Sequence, residues 1–133
     1  MIERVLIVAL LLMATLGAYQ AALAYQRRRA ASAANAEDVT GRSALLIFTS
    51  PTCAPCKYYQ LPVVDRLMTD WRDRVDVRII DVNEQPDMAR QYGVWSVPTT
   101  IVLDARRNVA GLNVGVADEA KLRAQFERAA LAR

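Results

Sequence analysis

Cys53-Ala54-Pro55-Cys56 holds both cysteines of the chain. The four residues fall between two kinds of pattern. Ala44–Thr49 is a continuous apolar run of the kind a strand buried on both faces shows. Ser50-Pro51-Thr52 breaks it, and from Ala54 to Trp71 the apolar residues Val63/Val64, Leu67/Met68 and Trp71 recur at helical spacing. The first cysteine therefore stands at a helix N-terminus, where unpaired N–H groups and the helix dipole favour a thiolate. Cys53 is the expected nucleophile. Cys56 lies one turn further in, less exposed and close enough to close a disulfide with it. Pro55 fits the first turn, where its missing N–H leaves no carbonyl unserved. Such a dithiol can attack a partner's disulfide, form a mixed disulfide and resolve it with the second thiol.

The rest of the composition narrows the alternatives. The 133 residues contain no His, which removes Ser-His-Asp and Cys-His catalysis and every His-ligated metal site. Zinc would need two further ligands, and the chain has no other Cys and no His; a site shared between two protomers and a two-thiolate copper(I) site are the metal readings left. No metal is expected. Four of the 17 cationic residues and two of the 14 acidic ones lie in residues 1–37. Residues 38–133 are thus nearly neutral, and the net charge of +3 gives no argument for nucleic acid.

The elements that must position the cysteines follow from periodicity. Val75–Val82 reads as a second strand, and Gln85–Tyr92 as a short helix with Pro86 in its first turn and Gly93 as its stop. Thr99–Leu103 and Val109–Val114 form a hairpin, and Ala117–Leu131 a last helix. The order β-α-β-α-β-β-α predicts an α/β domain with the first two strands parallel, the last two antiparallel, and helices on both faces of one sheet.

Two segments carry a resemblance. Residues 44–57, ALLIFTSPTCAPCK, and 92–99, YGVWSVPT, resemble the thioredoxin family at the separation that family shows. The resemblance implies a thioredoxin-like fold, a central mixed four-stranded sheet flanked by helices, over residues 43–133. It implies a cis peptide at Pro98 facing the CxxC, and a substrate groove formed by Val97, Pro98, Thr99 and Gly115. It also implies a thiol–disulfide oxidoreductase that needs no cofactor beyond its own redox-active Cys53–Cys56 disulfide. Its partners would be protein disulfides and a thiol electron donor. Several departures shape the motif. Thr52 replaces the usual Trp, and Ala54-Pro55 replaces Gly-Pro. Ile47 stands where a buried Asp takes a proton from the second cysteine, and Ile79 where a Lys accompanies that Asp. Pro62, the helix-kink proline, falls one residue late, which implies a one-residue insertion after Cys56. Trp95, Tyr58 and Tyr59 are candidate partner contacts if exposed. A low-turnover binding module on the same fold is the alternative reading.

Residues 1–25 read as an anchor. Val5–Tyr25 is 21 residues without a charge; as a helix it spans roughly 31 Å, the thickness of a hydrocarbon core. A cleavable signal peptide is the competitor, with Ala22-Leu23-Ala24 as its site. Its length and the Arg27-Arg28-Arg29 that follows favour a single-pass transmembrane helix. The same arginines place the soluble part on the cytoplasmic side, the extracytoplasmic side being the alternative. Residues 26–42, basic and Ala-rich, are expected to be a linker between the anchor and the domain, with residues 26–40 either continuing the anchor helix for a turn or two or acting as a tether.

Overall fold

The computed structural model describes residues 1–35 and 41–132. Its sheet contains β1 (Ser43–Thr49), β2 (Val75–Asp81), β3 (Thr99–Leu103) and β4 (Val109–Val114), in the spatial order β2-β1-β3-β4. β1 and β2 are parallel, Ile47 opposite Ile79. β1 pairs antiparallel with β3, and β3 with β4. Helix α1 covers Ile2–Asn35, α2 Leu61–Trp71, α3 Pro86–Gln91 and α4 Glu119–Leu131. Central position explains the unbroken apolar run of β1: Ala44 to Phe48 are all buried.

Two apolar clusters fill the two faces of the sheet. Leu45, Ile47 and Val102 pack with Val63, Val64, Leu67 and Trp71 of α2 and with Leu122 and Phe126 of α4. Trp71 and Phe126 meet at 5.3 Å between ring centroids. On the other face, Leu46, Phe48, Ile101 and Leu103 pack with Ile80, Ala89 and Tyr92, and with Ala30, Ala33 and Ala34 of α1.

The second cluster corrects one boundary. Of the two alternatives for the linker, residues 26–35 take the helical one: they are the last turns of α1, and the burial of Gln26, Ala30, Ala33 and Ala34 moves the domain boundary into the helix. Alanines at this spacing give the helix a flat stripe that can approach the sheet closely. The remainder of the expected linker from 36 to 40 lies outside the described residues. α1 also comes close at Gly93, whose φ is +68° and where an added Cβ would stand 2.9 Å from Arg29 Cβ. Only glycine meets both demands.

α1 runs opposite to β1. Its C-terminal end at Asn35 leads through seven residues to the start of β1 at Ser43. Its Gln26–Arg29 turn touches Gly93. Gly93 follows Tyr92, whose ring packs 5.7 Å from Phe48 near the far end of β1. The upstream part of α1 consequently leaves the domain at the end of the sheet where β1 finishes.

Candidate functional site

β1 ends at Thr49, and the turn Ser50–Thr52 carries the chain to Cys53, whose N–H donates to Ser50 O at 3.1 Å. Helical structure begins at Ala54. Cys53 and Cys56 are joined, S–S 2.01 Å, with Cα atoms 5.3 Å apart. The Cys56 N–H points at Cys53 Sγ, 3.2 Å away. That places a backbone donor where a Cys53 thiolate would carry its charge. Cys53 is at the edge of exposure, 9%, whereas Cys56 is 1% exposed. Thr52, Ala54 and Pro55 surround the pair on the exposed side. Among the described residues, no group of three or more His, Cys, Asp or Glu gathers to hold a metal.

The helix does not start as a regular α-helix. Cys56–Gln60 is a π turn, with Leu61 N–H donating to Cys56 O. A π turn is what one extra residue in an α-helix produces. It lies where the late position of Pro62 implied an insertion. Pro62 has no N–H, so the ladder is already interrupted there and the extra residue is accommodated beside it.

The turn also sets Gln60 facing inward, fully buried. Its Nε2 donates to Ala117 O at 3.2 Å, and its Oε1 accepts from Ala117 N at 2.8 Å. Both polar backbone atoms of a buried residue are thereby satisfied by one side chain. Sequence reading overlooked Gln60. The available signal was its spacing, three and four residues before Val63 and Val64, which puts an amide on the apolar face of the helix.

Pro98 precedes β3, and the Val97–Pro98 peptide is cis. Thr99 sits opposite Phe48, so the Pro98 end of β3 and the Cys53 end of β1 are adjacent strand ends. Pro98 O accepts from Gly115 N at 2.8 Å, and Thr99 Oγ1 donates to Ser96 O at 2.8 Å. Gly115 has φ +89° with open space where a side chain would stand. Val97 is half-buried, whereas Pro98 and Thr99 are buried. The structure thus gathers Cys53, Cys56, Val97, Pro98, Thr99 and Gly115 at one end of the sheet. Trp95, Tyr58 and Tyr59 are exposed, at 55%, 65% and 65%.

The two departures in the strands have different consequences. Ile47 is fully buried under α2, where a carboxylate would be desolvated. Ile79, its neighbour on edge strand β2, is 57% exposed. A Lys at 79 would reach water unaided, so the absence of charge at 79 does not follow from the absence of charge at 47. On the face of Ile47, Thr100, Asn113 and Gln125 form a buried amide–hydroxyl cluster. Asn113 Nδ2 donates to Thr100 Oγ1 at 3.0 Å and to Gln125 Oε1 at 2.9 Å, and Gln125 Nε2 donates to Asn113 Oδ1 at 2.8 Å.

A mixed sheet in the order β2-β1-β3-β4, helices on both faces, a CxxC opening the helix after β1 and a cis-proline entering β3 define the thioredoxin-like class of protein. The family model described as Thioredoxin matches residues 30–128, and the chain belongs to the thioredoxin family. That match begins inside α1, at the first of the buried alanines. The thioredoxin of Synechocystis sp. is 31% identical over 84 residues, 63% of this chain and 77% of the relative. Thioredoxin 1 of Synechococcus elongatus is 38% identical over 58 residues, 44% of this chain and 53% of the relative. The thioredoxin of Staphylococcus aureus is 40% identical over 58 residues, 44% and 55%. The chain thus spans about half the length of the last two relatives. A solved structure titled "Structure of a malarial protein" superposes with TM-score 0.61 at 22% identity, over 65% of this chain and 96% of that one, a likeness of fold.

Proposed function

We propose that the chain is a membrane-tethered thiol–disulfide oxidoreductase acting on partner-protein disulfides. One observation carries the reading: a bonded Cys53–Cys56 pair at a helix start, the first sulfur's residue 9% exposed and the second's 1%, beside a cis-proline. In the reduced state, Cys53 thiolate attacks one sulfur of a partner's disulfide and expels the other as a thiolate. Cys56 loses its proton to solvent and attacks Cys53 Sγ, expelling the partner's second sulfur. The partner gains two electrons and the Cys53–Cys56 disulfide forms. A thiol electron donor then returns the two electrons. Val97, Pro98, Thr99 and Gly115 line the groove for the extended substrate, and Thr52, Ala54 and Pro55 shape the approach to Cys53.

The tether is residues 5–25 of α1. The helix is long and apolar enough to cross a membrane, and its most apolar window has none of its surface covered by the rest of the chain. Arg27-Arg28-Arg29 favours the cytoplasmic side for the domain. Labelling of Cys53 by a membrane-impermeant maleimide, after reduction in intact cells, tests the side: no labelling until the cells are opened is the expected result.

The activity test is insulin-disulfide reduction by the full chain in detergent, with dithiothreitol as donor, beside Cys53→Ser. The variant is expected at background. Equal rates for the two proteins reject the enzyme. Ile47 at the site of the family's proton acceptor favours a second reading, a low-turnover binding module. That reading predicts partner retention unchanged by Cys53→Ser.

A further inference from the structure

The membrane anchor and the redox site leave the domain at the same end. α1 runs opposite to β1, and its Gln26–Arg29 turn lies against Gly93, the residue that opens the segment leading to cis Pro98. Following α1 upstream, exposure changes within one turn. Gln26 is fully buried, Leu23 and Ala22 are half-buried, and everything before Ala21 is exposed. At about 1.5 Å per residue, Ala22 is only about 6 Å beyond Gln26. The proposed span of residues 5–25 therefore begins level with the rim of the domain, and no flexible segment separates them.

That rim carries exposed apolar and aromatic side chains, with Lys57 beside Tyr58 and Arg27–Arg29 on α1 as its cationic members. Trp95 is 55% exposed in the segment between Gly93 and Pro98, and Val116, 47% exposed, follows Gly115. Tyr58 and Tyr59, each 65% exposed, lie within a turn of Cys56. The opposite end of the domain, where β1 starts at Ser43, points away from the span. Aromatic side chains with polar tips are the residues that settle at lipid headgroups. Tyr25 and Arg29 mark the same level on α1: Arg29 Nε donates to Tyr25 Oη at 2.9 Å.

We infer that α1 holds the Cys53–Cys56 end of the domain against the bilayer surface, with Trp95 in the headgroup layer, and that the disulfides exchanged there belong to juxtamembrane segments of integral membrane proteins. The inference rests on the anchoring proposed above. A soluble folded protein is sterically hindered from bringing a disulfide between this face and the lipid. A short extramembrane loop of a neighbouring membrane protein emerges at the right depth. The chemistry is the exchange already written, two electrons passing between the Cys53–Cys56 pair and the loop's cysteine pair.

Position is tested with the full chain in phosphatidylcholine–phosphatidylglycerol vesicles carrying a headgroup nitroxide. The chain has two tryptophans, Trp95 and the buried Trp71. Wild type is expected to lose roughly half of its emission, as one of the two lies at the interface, and Trp95→Phe to lose almost none. Equal losses in the two proteins overturn the orientation. Carbonate extraction separates this from a failure of anchoring. A chain released by carbonate refutes the span and the inference together, and a retained chain with Trp95 unquenched refutes the inference alone. Consequence is tested by inserting a Gly-Ser spacer between Tyr25 and Gln26. In vesicles the spacer is expected to raise the rate on soluble insulin several-fold and lower it on a transmembrane peptide with a disulfide loop next to its span. Unchanged rates on both probes overturn the confinement.

Discussion

In the proposed exchange reaction, Ile47 is the residue whose substitution tests the resolving step. It fills a fully buried position under α2, and it leaves Cys56, itself 1% exposed, without the carboxylate that the family places there. Ile47→Asp should restore a proton acceptor and speed release of the mixed disulfide. It should also destabilise the fold by about 3–5 kcal/mol, because a buried carboxylate would stand without a partner. Stopped-flow resolution of the mixed disulfide, read beside the melting temperature, checks both signs; a slower release would refute the assignment. The chemistry at this scale was legible because cysteine carries its own label: two thiols three residues apart, between a strand pattern and a helix pattern, have few other uses. Ile47 and Ile79 illustrate the limit. Both are apolar letters in strand patterns, and spacing cannot show that β2 is an edge strand that leaves Ile79 at 57% exposure while Ile47 is sealed.

The elements were legible where periodicity was long and obscure where backbone geometry was local. β1, β2, the hairpin of β3 and β4, and α4 with Asp118 accepting from Lys121 N all fall where the patterns place them. The late Pro62 revealed an insertion, but only the fold shows that it becomes a π turn and that the turn sends Gln60 inward. Gln60 joins the helix bearing Cys56 to Ala117, two residues past Gly115 in the proposed groove. Gln60→Leu keeps the volume and removes both bonds, leaving a buried N–H and C=O unpaired. The expected loss is about 2–4 kcal/mol in urea unfolding, with faster hydrogen exchange at the Ala117 amide. An unchanged amide would mean that the bond does not hold this strap. Gly111 offers a second check of the same face. An added Cβ would stand 2.2 Å from Gln125 Cδ, so Gly111→Ala must displace Gln125 and break its pairing with Asn113. A lowered melting temperature, partly recovered by pairing the change with Gln125→Ala, is the expected outcome.

At the scale of the whole molecule, α1 belongs to two environments, and this was the least legible feature. Residues 5–25 advertise themselves by their lack of charge, whereas residues 26–35 look like a tether because alanine, serine and arginine suit a linker as well as a helix. What decides is the partner surface: Leu46, Ile101 and Leu103 need a cover on that face of the sheet, and no local pattern in residues 26–35 reports it. The domain boundary thus lies inside the helix, which has a direct consequence for truncation. A chain beginning at residue 41 should lose the cover supplied by Ala30, Ala33 and Ala34, bind a hydrophobic dye and melt well below a chain beginning at residue 22. The longer chain keeps every buried residue of α1 and should melt as the full chain does in detergent. Gly93→Ala gives the same answer without truncation. Its φ of +68° costs a non-glycine residue on the order of 1 kcal/mol, and the Cβ would also push Arg29 away. If the helix is an integral layer, the variant loses stability only in chains that contain α1 beyond that backbone cost. Measuring Gly93→Ala in chains starting at 22 and at 41 separates the two contributions. A loss that is the same in both would show that residues 26–35 add nothing to the fold, and a larger loss in the longer chain would show that they complete it.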